Sequence, residues 1–477
     1  EGRILAFEAT YYQNSGCSCD LSPAIMARTV LHATGAYKVP NVKVTGYMCR
    51  TNLPSFTAFR GFGAPQAFFV IEAAIDALAR EMGADREALQ RKNLYREGDA
   101  TYVGMPIVRG RAEEAFDRLT EKLSWKKYKA EIDAFNASHS MEKKGAAILP
   151  ICFGISFTKR SMNQAGALVH VYQDGSVLVS TGAIEMGQQV SRKLALVAAR
   201  TLGVPEARVS VERTSTLTVA NTVPTAASTG SDLNGMAASI ACCKIRERLV
   251  AKAAAMLGEP RERVGIAEGF ATVGGAPSRL GWDELVAAAN QDRIDLSAHG
   301  FYATPGLTYD PATGRGTPFA YYVYGAASVT VRLDLLRATY SLESATIVHD
   351  GGTSLDEAVD RGQIEGALAQ GLGWTLLEDL RFGPDGRLLA DTLSTYKLPD
   401  LAFMPEAVDI EFLPPIENPS APFNSKAVGE PPLQYGIAAY FALMDAVRAA
   451  KPDAAAIYDV PFIPEKVEAL LDGRRPC

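Results

Sequence analysis

The chain has 477 residues, 47% of them hydrophobic and 21% charged, which is enough apolar material to bury a large core and too little charge for a disordered chain. A net charge of -6 and the lack of any long basic block argue against nucleic acid or an anionic membrane surface as a bulk partner. Seven cysteines form no even framework and no zinc-ligand spacing, and read as reduced cytoplasmic thiols.

The chain opens on Glu1 and passes at once into strand-like Ile4-Leu5-Ala6-Phe7, the opening of a fragment, a processed chain or one half of a larger unit. A helix is expected over Gln66 to Met82, behind Pro65, with Phe68, Ile71, Ile75, Leu78 and Met82 on one apolar face. Glu121 to Lys144 is charged and helix-prone and reads as a bridge between two units. A new unit begins near Ala146. There Ala167–Tyr172 and Val177–Ser180 flank an Asp174-Gly175 turn, the pattern of a β-hairpin.

A helix over Gln189 to Leu202 follows, with Val190, Leu194, Val197 and Thr201 on one side, then another over Leu233 to Leu257. Strands are expected at Ala326–Leu333 and Ser341–Val348, and helices at Gly362–Leu372 and Leu433–Ala450. The apolar run Ile437 to Val447 is too short to span a membrane and contains Asp445. Strands and helices interleave, which predicts an α+β or mixed α/β protein.

Four stretches place small or amide residues where a helix is expected to start: Phe59–Gln66, Glu185–Gln189, Thr225–Asp232 and Asp360–Glu365. Small residues allow close backbone approach, and a helix N-terminus favours an anion, so these stretches suit a phosphorylated cofactor; the plainer reading is helix capping. A fifth stretch, Lys426-Ala-Val-Gly-Glu-Pro-Pro-Leu433, sets Glu430 between a glycine and two prolines. Glu430 reads either as a charge complementing a helix dipole or as a rigidly held general base. The sequence has no Gly-x-Ser-x-Gly elbow, Walker A loop or His-Glu-x-x-His, and its five histidines lack metal-ligand spacing.

Eight segments, in chain order, resemble the molybdopterin domains of the xanthine dehydrogenase and aldehyde oxidase (molybdenum hydroxylase) family. They are Thr57–Gly63, Phe153–Thr158, Asn163–Ala167, Glu185–Gln188, Pro224–Ser228, Gly362–Gly366, Ser394–Lys397 and Ser425–Pro432. The resemblance is strongest to xanthine dehydrogenase. It implies an α+β, multi-domain molybdopterin-binding architecture, divided here into 1–125, the later part of a first such domain, and 126–477, a second.

By the same resemblance Glu430 is the catalytic base and Arg28 the residue that orients a purine. Phe62 and Phe157 form aromatic walls around a flat substrate, with Thr158 as a polar contact. Gly61, Gly187, Gln188, Ala226, Ala227, Ser228 and Gln363 contact the pterin, and the backbone around Arg60 and Ala227 lies near the molybdenum. The reaction implied is hydroxylation of an electron-poor ring carbon, as in xanthine or hypoxanthine, with oxygen from water. Arg28 there stabilises charge on the ring.

The cofactor implied is a molybdenum–molybdopterin, the cytosine dinucleotide form being one that stays open. Electrons leave to iron–sulfur clusters and FAD on partner subunits of a heteromeric complex. This chain departs from the family pattern at Gln189 and Gly230, at Gly182-Ala-Ile184 and at Asp356-Glu357. It also lacks the family's upstream Gly-rich segment, so a second half of the molybdenum subunit is expected to complete the pocket. Other activities of the superfamily, on another N-heterocycle, an aldehyde or an aromatic by dehydroxylation, remain open, as does a non-catalytic assembly subunit.

Overall fold

The computed structural model describes residues 2–474. The chain runs β1 (Ala6–Gly16), α1 (Ser22–Leu31), β2 (Asn41–Arg50), α2 (Ala64–Met82), α3 (Arg86–Asn93), α4 (Ala112–Leu123) and α5 (Trp125–Ser138). Next come β3 (Glu142–Ile155), β4 (Gln164–Val171), β5 (Val177–Thr181), α6 (Val190–Leu202), β6 (Val209–Val211) and α7 (Gly230–Leu257). They lead into β7 (Val264–Ala267), β8 (Phe270–Val273), β9 (Ala276–Gly281), α8 (Trp282–Gln291) and β10 (Ser297–Ala303). The last part holds β11 (Thr308–Asp310), β12 (Arg315–Thr317), β13 (Tyr321–Asp334), β14 (Thr339–His349), α9 (Glu357–Leu376), β15 (Ala407–Phe412), α10 (Ile437–Ala450) and α11 (Pro464–Leu471). This is a mixed α+β architecture, as the sequence predicts.

The central sheet has the order β15-β14-β13-β3, antiparallel except for the β14–β15 pair. Side chains alternate across a strand, so β3 serves two cores at once. Ala147, Leu149, Ile151, Phe153 and Ile155 face the core built with α9 and α10, while Ala146, Ile148 and Cys152 face the one built with α4 and α5. Burial on both faces explains why β3 and β13 are nearly continuous apolar runs. Pro150 is tolerated because β3 is an edge strand.

A second sheet, β10-β4-β5-β6, packs against α6 and α7. Leu233, Ala237, Ala241, Ile245, Leu249 and Ala253, spaced four apart, supply one stripe of α7 to that core. The expected hairpin is β4–β5, with Gly175 at φ 81° in its turn. Near the N-terminus β1 and β2 make a two-stranded parallel sheet.

Several expectations need correction. α2 buries Phe68, Ile71 and Ile75 as expected, but Leu78 and Met82 are 38% and 46% exposed. The buried stripe turns instead through Glu72 and Ala79, and Glu72 is tolerated because Arg86, Gln90 and Tyr37 all donate to it. The charged stretch at 121–144 is not one helix: Ser124, at φ 50°, breaks it into the end of α4 and α5, and β3 starts at Glu142. Asp360–Glu365 lies inside α9 rather than ahead of it. That helix is capped earlier, by the Asp356 carboxylate accepting from Val359 N at 3.1 Å. The expected helix at 433–450 divides into a 3₁₀ turn, Pro431–Gly436, and α10. Among the described residues no helix is long and apolar enough to cross a membrane.

Candidate active site

The loop before α2 holds three successive left-handed residues: Gly61, Phe62 and Gly63, at φ 93°, 54° and 96°. Glycine adopts this conformation freely and phenylalanine does not, so the surroundings must impose it. Thr29 Oγ1 donates to Gly63 O at 3.0 Å, and Pro65 opens the helix one residue past Ala64. Arg60 leaves this loop toward two other segments. Its Nε donates to Gly429 O at 2.5 Å, its Nη2 to Gln363 O and Oε1 at 3.2 and 3.3 Å, and its Nη1 to Gln370 Oε1 at 3.1 Å. Burial lowers the Arg60 pKa to about 10, with the Glu430 charge acting in the opposite direction.

Glu430 meets the loop before α7. Ser228 Oγ accepts from Glu430 N at 2.8 Å and donates to Glu430 Oε2 at 3.1 Å. Ala227 and Ser228 are both left-handed, at φ 55° and 58°. The loops meet so closely that a Cβ on Gly429 would stand 2.9 Å from Ser228 Oγ, which explains the glycine before the glutamate. Glu430 stands at the N-cap of the 3₁₀ turn but makes no capping hydrogen bond with its side chain. The carboxylate therefore points to Ser228 and not to its own turn, which disfavours the helix-dipole reading.

The segment before Glu430 is anchored from below. Lys426 Nζ reaches Asp350 Oδ2 at 2.5 Å and Tyr322 O at 3.0 Å, with Lys426 and Asp350 both buried. Arg111 Nη1 approaches the other Asp350 oxygen at 3.1 Å. These residues escaped the sequence reading. Lys426 lies within the Lys426–Leu433 stretch, but nothing local in the sequence marks Asp350 or Arg111 as its partners.

Arg28 is only 1% exposed, against the ordinary expectation for an arginine on a helix. Its Nη1 donates to Gly154 O at 2.9 Å and its Nη2 to Ser156 O, while Nε has no partner. The guanidinium carbon stands 5.5 Å from the rings of Phe153 and Phe319. Burial lowers its pKa and the charge of Glu430 raises it, so Arg28 is electrostatically coupled to the carboxylate. One turn on, His32 Nε2 accepts from Gly154 N at 3.0 Å, which puts the ring proton on Nδ1, facing Arg28 O at 3.0 Å. Burial, then the Arg28 charge, bring the His32 pKa down to about 3.

Phe157 and Thr158 follow the end of β3 and are half-buried. Asn163 clamps their loop: its Oδ1 accepts from Phe157 N at 2.8 Å and its Nδ2 donates to Phe157 O at 3.0 Å. The cavity beside them, also lined by Leu307 and Tyr309, measures about 30 Å³, which is room for a water and not for a heterocycle. Among the described residues no ring contact joins Phe62 to Phe157. A larger cleft of about 380 Å³, between Leu196, Arg200, Glu206 and Glu268, includes none of the expected site residues.

The loop before α6 caps its own helix. Its helix N-terminus already holds an anion, because Glu185 accepts from Gly187 N and Gln189 N at 2.9 Å and from Ser191 N at 3.1 Å. Burial raises the Glu185 pKa, and these N–H groups outweigh it, holding the carboxyl below its ordinary value. Gln188 turns onto its own loop, accepting from Met186 N at 2.5 Å and donating to Ile184 O at 2.8 Å. Contacts thus join Arg60, Gln363, Ser228 and Glu430, with Arg28 close by. Among the described residues no hydrogen bond links Gly187 or Gln188 to that group.

Residues 118–405 and 1–94 both match the molybdopterin cofactor-binding domain family, the first match alone covering more than half of the chain. The chain belongs to this family. It is 39% identical over 470 residues to the xanthine dehydrogenase/oxidase of Gallus gallus, covering 98% of this chain and 33% of that protein. It is 41% identical over 473 residues to the Mus musculus protein of the same description, covering 98% and 34%. The chain thus spans about a third of the length of these curated relatives.

Among solved structures, the aldehyde oxidoreductase from Desulfovibrio gigas superposes with a TM-score of 0.82 at 26% identity, covering 99% of this chain and 48% of that one. Quinoline 2-oxidoreductase from Pseudomonas putida 86 superposes with a TM-score of 0.85 at 24% identity, covering 99% and 61%, and shares the fold. Among the described residues no group of three His, Cys, Asp or Glu side chains is placed to hold a metal ion. The matched family binds a pterin cofactor. The left-handed, small-residue loops at 61–63 and 226–228 fit close backbone approach to such a group.

Proposed function

We propose that this chain is part of a molybdenum hydroxylase that oxidises a purine-type N-heterocycle such as xanthine or hypoxanthine, with Glu430 as general base. The observation that carries the reading is the Glu430 carboxylate, turned away from its own helical turn, hydrogen-bonded by Ser228 and flanked by Arg28 and Arg60. The molybdenum–pterin, when bound, supplies the two-electron redox chemistry. Gly61, Gly187, Gln188, Ala226, Ala227, Ser228 and Gln363 would hold it, with the backbone of Arg60 and Ala227 beside the metal. Glu430 takes up a proton at its carboxylate, and Ser228 fixes the direction from which it does so. Phe62 and Phe157 wall a flat ring, Thr158 meets its polar edge, and Arg28 offsets charge that develops on it.

The same reading places iron–sulfur clusters and FAD on partner subunits, a second molybdenum-subunit half against this chain, and the complex in the cytoplasm. The division into 1–125 and 126–477 belongs to it, supported by two separately matched segments. The two-stranded sheet β1–β2 supports the missing half: it is parallel, a type normally covered on both faces, yet Tyr12, Tyr47 and Met48 are exposed. One observation favours a second reading, in which the substrate is an aldehyde or a different heterocycle. The Arg28 terminal nitrogens are already engaged with Gly154 O and Ser156 O, which suits an arginine that never touches substrate.

The test is Glu430→Gln in the assembled complex, following anaerobic reduction of the metal centre by xanthine and hypoxanthine. The expected loss is about 10²–10⁴-fold at unchanged molybdenum content. A variant within about threefold of the parent removes Glu430 from the role of base.

A further inference from the structure

The start of α7 and the loop ahead of it hold the four residues 427–430 at both ends. At one end Ser228, two residues ahead of the helix, bonds Glu430 directly at 2.8 and 3.1 Å. At the other end the bond passes through a residue of the central sheet. Tyr321 OH donates to Asp232 Oδ2 at 2.6 Å, and the Tyr321 hydroxyl oxygen in turn accepts from Ala427 N at 3.0 Å. We propose that Tyr321 is a positioning residue for Glu430: by joining Asp232 of α7 to Ala427, it completes a two-point clamp that fixes where the carboxylate points. This inference rests on the reading of Glu430 as the base.

Tyr321 suits the task. It opens β13 and pairs with Ile155 at the head of a β13–β3 ladder that runs unbroken to Asp334–Glu142. Burial, then the Asp232 charge, keep the phenol pKa well above its ordinary value, so the hydroxyl is a permanent donor to Asp232 with lone pairs left for Ala427 N–H. Phenylalanine would fill the same space and remove both bonds. Asp232 is 5% exposed, with the charge of Lys193 acting on it from α6 and the phenol of Tyr302 facing it from β10. Burial raises the Asp232 pKa to about 7, and the Tyr321 hydrogen bond, then the Lys193 charge, work against that rise. Lys426 Nζ lies 5.7 Å from the Tyr321 ring and anchors the preceding residue separately, so loss of the hydroxyl frees 427–430 without freeing the whole segment.

The test uses the assembled complex and the variants Tyr321→Phe, Glu430→Gln and both together. Tyr321→Phe is expected to lower kcat about tenfold, with KM and molybdenum content within about twofold of the parent. Hydrogen exchange at the Ala427 amide should quicken at least about tenfold, a readout independent of turnover. In the Glu430→Gln background Tyr321→Phe should cost nothing further, because both act through one group. Three results would each overturn the inference while leaving Glu430 as the base: an unchanged kcat, a loss that persists in full in the Glu430→Gln background, or a loss that only follows falling molybdenum content. High activity in Glu430→Gln alone would instead remove the base itself. Should Tyr321→Phe not fold, Asp232→Ala removes the acceptor at the clamp's other end. It is expected to give the same kcat-against-KM split and the same exchange at Ala427, and an unchanged kcat there overturns the proposal equally.

Discussion

Replacing Lys426 by methionine tests whether the base loop is held by a buried charge. Methionine keeps most of the volume and removes the ammonium that Asp350 Oδ2 and Tyr322 O receive at 2.5 and 3.0 Å. Asp350 is 0% exposed, so its carboxylate cannot recover the lost bond from solvent. Breaking a buried pair by removing one partner costs about 3–5 kcal/mol. Here Arg111 Nη1 still donates to the second Asp350 oxygen at 3.1 Å, which reduces the expected loss to about 2–4 kcal/mol. At about 2.1 cal/mol/K of unfolding entropy per residue, a chain of 477 residues then loses roughly 2–4 °C in the unfolding midpoint. Near-UV circular dichroism of parent and variant, heated at one scan rate, reads it directly.

The companion variant is Lys426→Met with Asp350→Asn. It removes the uncompensated carboxylate, and Arg111 keeps Glu114 and Pro414 O as acceptors. The double variant should therefore be less destabilised than the two single losses added together. A Lys426→Met midpoint within about 1 kcal/mol of the parent, or strictly additive losses, would show that the pair does not hold the loop.

Arg28→Met should depress kcat/KM for xanthine by about 2–4 kcal/mol in transition-state energy and leave a flat aromatic aldehyde little changed. Equal losses on both substrates, together with a lowered unfolding midpoint, would assign Arg28 to holding the end of β3 through Gly154 O and Ser156 O. His32→Gln addresses pH. The folded pKa is about 3, below the ordinary 6.5, so the unfolded chain binds the extra proton in between. The His32 contribution is complete above pH 6.5 and is lost as pH falls toward 3. The stability gap between parent and variant should thus narrow by about 2 kcal/mol from pH 7 to pH 5, and a constant gap would mean that the ring is not held neutral.

Much of this protein is legible in its sequence because the signals are local. The Asp174-Gly175 turn places the β4–β5 hairpin, and the apolar periods of α2 and α6 place both helices to within two residues. The Gly-Glu-Pro-Pro stretch marks Glu430, and the glycines around Phe62 mark a loop of unusual backbone. These depend on φ preferences and on spacing along one element, which neighbouring residues set. Family membership follows from the order of such stretches.

What the tertiary structure alone decided is which distant groups meet. Glu185 fills the anion site of α6 because the loop folds back on its own helix. The buried stripe of α2 runs through Glu72, and leaves Leu78 and Met82 outside, because Arg86 and Gln90 of α3 and Tyr37 ahead of β2 supply its partners. Arg28 lies sealed against Phe153 and Phe319, more than a hundred residues away in sequence, and Ser228 and Tyr321 converge on 427–430 from opposite sides. Hydrogen bonds and ion pairs between distant segments leave no periodic trace in a sequence. Their strength comes from exclusion of water, and burial exists only once the sheets and helices have packed.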